Sequence, residues 1–166
     1  MKISIIYHSE TGNTKKQAEL IAEGAKRVEG AEVRLMSIEK PDNDWIKDSC
    51  AVIFGCPTYE GTLSWQMKRY LDEPGVNFSG KLAGFFASQN WPGGGGADFA
   101  EMTMIAAALV LGMLVYSGGV EQGYPPIHFG AVSQKAPTST IDRERAVKLG
   151  ANIASMAKKL FVPNGS

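Results

Sequence analysis

Short β-branched and apolar runs alternate with amphipathic helical stretches from one end of this chain to the other, and that alternation most constrains its fold. Lys2 to Tyr7 (KISIIY) is a compact β-rich run. Thr14 to Val28 then places Ala18, Ile21, Ala22, Ala25 and Val28 on one helical face. Ala31 to Met36 alternates as a strand does, Ala51 to Gly55 is continuously apolar, and Leu63 to Leu71 reads as a helix ending before Asp72-Glu73-Pro74-Gly75. Leu82 to Ala87 is a further apolar run, Ala97 to Gly112 a helix rich in Ala and Met, and MLVYS (Met113 to Ser117) a fifth strand. Gly118 to Pro137, with Pro125 and Pro126 inside it, reads as an extended loop. The last helix, about Thr140 to Leu160, carries Ala146, Leu149, Ile153, Met156 and Leu160 at 3,4,3,4 spacing behind a Ser139/Asp142 capping signal.

Five strands alternating with helices predict an α/β fold: a five-stranded parallel sheet, doubly wound, with helices on both faces. A chain of 166 residues is expected to form it as a single domain over residues 1–166. In such sheets ligands sit beyond the C-terminal ends of the strands, where the strand order reverses. The loops after strands one, three and four are therefore the candidate site.

The first of these, Ser9-Glu10-Thr11-Gly12-Asn13-Thr14, links a strand to a helix start. The free N–H groups and dipole of a helix N-terminus favour an anion. Ser9, Thr11 and Thr14 add hydroxyls, Asn13 an amide, and Gly12 permits close backbone approach. Lys15 and Lys16 oppose the dipole, a cost that a bound phosphate would offset. An ordinary N-cap cluster has a similar composition. The second loop, Gly55 to Trp65, offers Pro57 to stiffen the strand exit, flat faces at Tyr59 and Trp65, and Gly61 for a close approach. The third, Ser88 to Asp98, sets Trp91 beside four consecutive glycines, a composition suited to wrapping something flat. A phosphate end and two flat walls together suit a ligand shaped like flavin mononucleotide (FMN).

Other chemistries lack their residues. Neither a Walker A loop nor GxGxxG follows the first strand, and no GxSxG occurs. His8 and Ser9 are neighbours on a strand and point to opposite faces, which argues against a catalytic pair. The remaining histidine, His128, reads as a surface loop residue or a group near the site edge. Cys50 and Cys56, both in CAVIFGC, stand about 20 Å apart along a strand, too far for a disulfide, and read as buried structural thiols. No metal set is expected. With 17 basic and 17 acidic residues the formal charge is zero, which argues against nucleic acid or an anionic membrane surface as partner. The most apolar segment, Ile105 to Val115, is short of the roughly 18 residues that span a bilayer. Without a signal-peptide pattern or membrane insertion, a cytoplasmic location is expected.

Ile5-Ile6-Tyr7, Ser9, Gly12, Thr14, Ala18 and Ile21 resemble the flavodoxin signature, and PTYEG and the glycine-rich loop match its two flavin-flanking loops. Within that flavodoxin-like superfamily the chain looks most like WrbA-type NAD(P)H:quinone oxidoreductases and related FMN reductases, through GCPTYEGTLSWQMKRYLDE, the Gly-Gly element and HFGAV (His128 to Val132). Trp91-Pro92 stands where those proteins usually carry a histidine. The resemblance implies that Ser9, Thr11, Gly12, Asn13 and Thr14 hold the FMN phosphate. It places the ring between Pro57, Thr58, Tyr59, Glu60 and Gly61 on one side and Ser88, Gln89, Asn90, Trp91, Gly93 and Gly94 on the other. It implies first an NAD(P)H-dependent oxidoreductase that passes electrons through FMN to a quinone-like acceptor, and as the alternative a flavodoxin-type shuttle that serves a redox partner protein without its own NAD(P)H turnover. No side chain is expected to be catalytic, because the chemistry belongs to the cofactor. The Met-rich helix and Trp65 leave a homo-oligomer open, since both suit a core equally.

Overall fold

The computed structural model describes residues 1–163. Strands β1 (Lys2–Tyr7), β2 (Glu32–Ser37), β3 (Ala51–Tyr59), β4 (Thr62–Leu63), β5 (Leu82–Gln89), β6 (Leu114–Val115) and β7 (Ala131–Gln134) alternate with helices α1 (Asn13–Lys26), α2 (Asn43–Asp48), α3 (Trp65–Asp72), α4 (Ala97–Val110) and α5 (Thr140–Phe161). The parallel ladder runs β2-β1-β3-β5, with β6 and β7 both paired to β5. From β1 the chain steps outward to β2 and then returns to place β3 on the other side of β1. That reversal puts the ends of β1, β3 and β5 around one crevice.

The expected fifth strand is present but divided. Leu114 and Val115 pair with Leu82 and Ala83, and Ala131 to Gln134 pair with Phe86 to Gln89. The residues between them loop out, so a stretch read as wholly loop contains β7. Ala131-Val132-Ser133-Gln134 is short and half polar, and only its register beside β5 makes it a strand. Helix α2, one and a half turns long, carries too little periodicity to predict; Asp42 caps it by accepting from the Trp45 N–H at 3.0 Å. The capping signal at Ser139 is realised, with Ser139 Oγ accepting from the Asp142 N–H at 3.0 Å.

Two apolar layers sandwich the sheet. One packs Phe54, Phe78, Phe85, Met67 and Met104 beneath α2, α3 and α4; the other packs Ile3, Ile5, Ile53 and Phe86 beneath α1 and α5. Helices α1 and α5 cross at Gly24 and Gly150. A Cβ at Gly24 would lie 1.8 Å from the Val147 carbonyl oxygen, and one at Gly150 1.9 Å from that of Ile21. Cys50 and Cys56 are both free thiols; Cys56 is buried as expected, whereas Cys50, just before β3, is only half-buried. Burial pushes the Cys56 thiol pKa up to about 12, so it is inert in the fold. Among the described residues no helix is long and apolar enough to cross a membrane, and no group of three metal-ligating side chains forms.

Candidate ligand-binding site at the strand ends

The three loops meet at the C-terminal edge of β1, β3 and β5. Both helices that open there, α1 and α4, begin on a glycine in the left-handed region: Gly12 at φ 86° and Gly96 at φ 87°. Neither N-cap glycine has a side chain to cap its helix, so the first N–H groups of each look elsewhere for acceptors. In α1, Lys16 N–H returns to the Gly12 carbonyl and Lys15 N–H donates to Ser9 Oγ at 3.2 Å. The N–H groups of Asn13 and Thr14 have no acceptor inside the helix. Asn13 Nδ2 donates to Thr11 Oγ1 at 3.2 Å, closing the polar loop on itself.

The second loop is a two-residue hairpin. Tyr59 pairs with Thr62, and the intervening Glu60 and Gly61 lie at φ 46° and 80°. Positive φ at both central positions is the geometry of a type I′ turn. Glutamate is an unusual occupant, and left-handed backbone costs a side-chain-bearing residue about 1–2 kcal/mol. Pro57 lies within β3, in register with Ser88, rather than after the strand.

The third loop is held from below. The Gln89 side chain, expected on the ligand, instead caps α4 by accepting from the Ala97 N–H at 3.0 Å. Gln134 Nε2 donates to the Asn90 carbonyl at 3.2 Å. Gly93 and Gly94 are exposed with positive φ, and Trp91 is 73 % exposed. A Cβ at Gly96 would lie 2.7 Å from Gly61 Cα, so the second and third loops touch backbone to backbone.

Sequence reasoning missed this Gly61–Gly96 contact and the residues behind the first loop. His8 is 2 % exposed, and its Nδ1 shares a 2.9 Å hydrogen bond with Ser64 Oγ. Desolvation lowers the His8 pKa, outweighing Glu39 and Glu10, so the ring is neutral at pH 7 and its 3.7 Å approach to Glu10 is not an ion pair. The Tyr59 ring meets His8 edge-on, centroids 6.1 Å apart, which ties the first loop to the second. Thr14 and Ser88, expected at opposite ends of a ligand, are both buried and hydrogen-bonded through their hydroxyls at 2.8 Å. His128 is exposed, on the stretch between β6 and β7.

The residues present fit a phosphate-bearing ligand with a flat ring. Thr58 Oγ1 is buried in the crevice wall with no partner among the described residues. The positions a Cβ would take at Gly12, Gly61, Gly93 and Gly94 meet no described atom within 4 Å. Donor N–H groups at a helix start, hydroxyls around them and open space at these glycines are the features that an anion and a flat ring call for.

A doubly wound parallel sheet with such a site at its switch point defines a mononucleotide-binding α/β protein. The family model described as Flavodoxin matches residues 5–109. A flavodoxin of Clostridium saccharobutylicum is 42% identical over 162 residues, covering 97% of this chain and 100% of that one. An NAD(P)H dehydrogenase (quinone) of Archaeoglobus fulgidus is 32% identical over 197 aligned positions, covering 96% of this chain and 98% of its own. The solved WrbA-like flavodoxin of Agrobacterium tumefaciens superposes with a TM-score of 0.75 at 26% identity, over 95% of this chain and 98% of that one. The chain belongs to the flavodoxin family and is an FMN-binding electron-transfer flavoprotein.

Proposed function

We propose that the protein is an FMN-loaded electron carrier that exchanges electrons with a redox partner protein. The observation that carries this reading is the openness of the site. Its walls end in the exposed Glu60-Gly61 turn, the exposed Gly93 and Gly94, and Trp91 at 73 % exposure, so a protein surface can reach the slot directly. The near full-length likeness to a flavodoxin supports the same reading.

In this reading FMN supplies reversible electron uptake when bound, and the chain's own groups hold it. Asn13 and Thr14 N–H groups, the hydroxyls of Ser9 and Thr11 and the Asn13 amide take the phosphate, with Lys15 and Lys16 adding positive charge. Thr14 contributes its backbone, because its hydroxyl is engaged by Ser88. Pro57, Thr58, Tyr59, Glu60 and Gly61 form one wall of the ring slot. Ser88, Asn90, Trp91, Gly93 and Gly94 form the other, with Gln89 holding that wall in place. Neutral His8 braces the base of the site without taking a proton at pH 7.

A second reading, an NAD(P)H-dependent oxidoreductase passing electrons to a quinone, is favoured by one observation. A pocket of about 660 Å³ adjoins the second loop, lined by Tyr59, Glu60, Leu63, Trp65 and Thr103, and is large enough for a second ring compound. Absorption of the purified protein tests the cofactor: a preparation that stays colourless with added FMN sinks both readings. Steady-state oxidation of NADH and NADPH with a soluble quinone then separates them. Turnover establishes the enzyme; reduction only through a reductase protein establishes the carrier.

A further inference from the structure

His8 stands one residue beyond β1, where its N–H donates to the Gly55 carbonyl at 3.0 Å and carries the β1–β3 ladder into the first loop. Its buried side chain reaches three separate segments. Nδ1 lies 2.9 Å from Ser64 Oγ. That oxygen already accepts from the Met67 N–H at 3.4 Å as the N-cap of α3, so the hydroxyl hydrogen is free to point at Nδ1. The proton of the neutral ring is thereby assigned to Nε2, which faces Glu10 Oε1 at 3.7 Å. Gln66 Nε2 donates to the same carboxylate oxygen at 2.8 Å. The imidazole meets the Tyr59 ring at 85°, centroids 6.1 Å apart. The first loop, the end of β3 and the start of α3 thus converge on one imidazole.

We propose, on the reading that Tyr59 flanks the flavin ring, that His8 is a positioning residue for the ring slot: as the neutral Nε2–H tautomer it sets the plane of Tyr59, and a second proton on Nδ1 releases that wall. FMN affinity then depends on pH through His8. An edge-to-face contact orients an aromatic ring as well as attracting it. The Glu60-Gly61 turn beyond Tyr59 is exposed and gives that ring no such support. The second proton must enter at Nδ1, where the Ser64 hydroxyl hydrogen already points. Ser64 Oγ would then accept from His8 and Met67 together, and its own hydrogen would lose its acceptor in a buried site. The charges facing the ring are Glu10 of the first loop and Glu39 after β2, which favour the imidazolium. Tyr59 of β3, whose pKa burial and Glu10 raise, is uncharged, as are Ser64 and Gln66 at the start of α3. Burial outweighs the two carboxylates, so the proton enters only as pH falls below the ordinary 6.5.

Flavin-fluorescence titrations of FMN with the full chain at pH 7.5 and pH 4.5 test this, using wild type, His8→Asn and His8→Phe. The ratio of variant to wild-type Kd at each pH cancels the titration of the FMN phosphate itself. His8→Asn keeps a partner for Ser64 and loses the ring edge. It is expected to bind FMN about fivefold more weakly than wild type at pH 7.5, the worth of one aromatic contact. At pH 4.5, where the wild type has lost its neutral imidazole, the ratio is expected to approach one. His8→Phe restores a ring edge that cannot titrate. It is expected to recover most of the loss at pH 7.5 and to overtake the wild type at pH 4.5. Unchanged far-UV circular dichroism at both pH values shows that the variants fold; should either unfold, the other decides. A ratio that stays the same at both pH values overturns the role of His8. So does a His8→Asn ratio that grows at pH 4.5, the result of an imidazolium attracting the phosphate by charge. A wild type that binds no FMN at either pH overturns the proposed function itself, and the role of His8 with it.

Discussion

Thr14 Oγ1 lies 2.8 Å from Ser88 Oγ, so the first turn of α1 and the end of β5 are hydrogen-bonded across 74 residues of sequence. Both groups are buried, Thr14 at 1 % and Ser88 at 4 % exposure. The bond fixes the first loop against the third, which under the proposed function is the preorganisation a tight mononucleotide site needs.

Thr14→Val is expected to lower stability by about 1–3 kcal/mol, since it strands a buried Ser88 hydroxyl. It should also weaken FMN binding by about tenfold, read from recovered flavin fluorescence in a titration. Adding Ser88→Ala removes both partners and should restore most of the stability, so a double-mutant cycle by urea unfolding checks the coupling.

Gly96→Ala should be more damaging than Gly12→Ala. Both place a side chain at φ near 86°, at about 1 kcal/mol each. Only at Gly96 does the new Cβ also meet backbone, 2.7 Å from Gly61. Thermal melts are expected to rank wild type above Gly12→Ala, and Gly12→Ala above Gly96→Ala.

His8 gives the fold an acid-side pH dependence. Its folded pKa is below the ordinary 6.5, so the unfolded chain binds the proton more readily. Its contribution is complete above about pH 6.5 and declines as pH falls from there through the folded pKa. His8→Asn, which keeps a group able to reach Ser64 Oγ, should flatten urea midpoints below pH 6.5 relative to the wild type.

Glu101 acts in the opposite direction. Its carboxyl is buried, with Oε1 lacking a partner among the described residues, and desolvation reinforced by Asp98 raises its pKa well above the usual range. It stays protonated in the fold while the unfolded chain ionises above about pH 4.3, so stability falls as pH rises from there toward the folded pKa. Glu101→Gln should remove that slope and be more stable than the wild type at pH 7. Unfolding midpoints at pH 5 and pH 7 measure it.

The site was legible to different depths in its three loops. Ser9 to Thr14 could be read because hydroxyls, glycine and a helix start coincide within six residues, and local backbone geometry dictates where their donors face. The second loop was legible as a strand exit at the sheet edge, yet its type I′ turn was not, because glutamate at Glu60 is a poor left-handed residue and gives no turn signal. The helix-capping role of the Gln89 side chain was not legible, because only the position of α4 makes it one. Strand β7 was lost in a loop, since four half-polar residues become a strand only beside β5.

Period and chain geometry by themselves determined the doubly wound sheet and the two unpaired cysteines. These follow from interactions within a few residues, or from chain geometry that any fold must obey. Tertiary structure alone decided the Thr14–Ser88 bond, the Gly61–Gly96 contact and the neutral His8 behind the site. Each depends on burial or on contacts between distant segments.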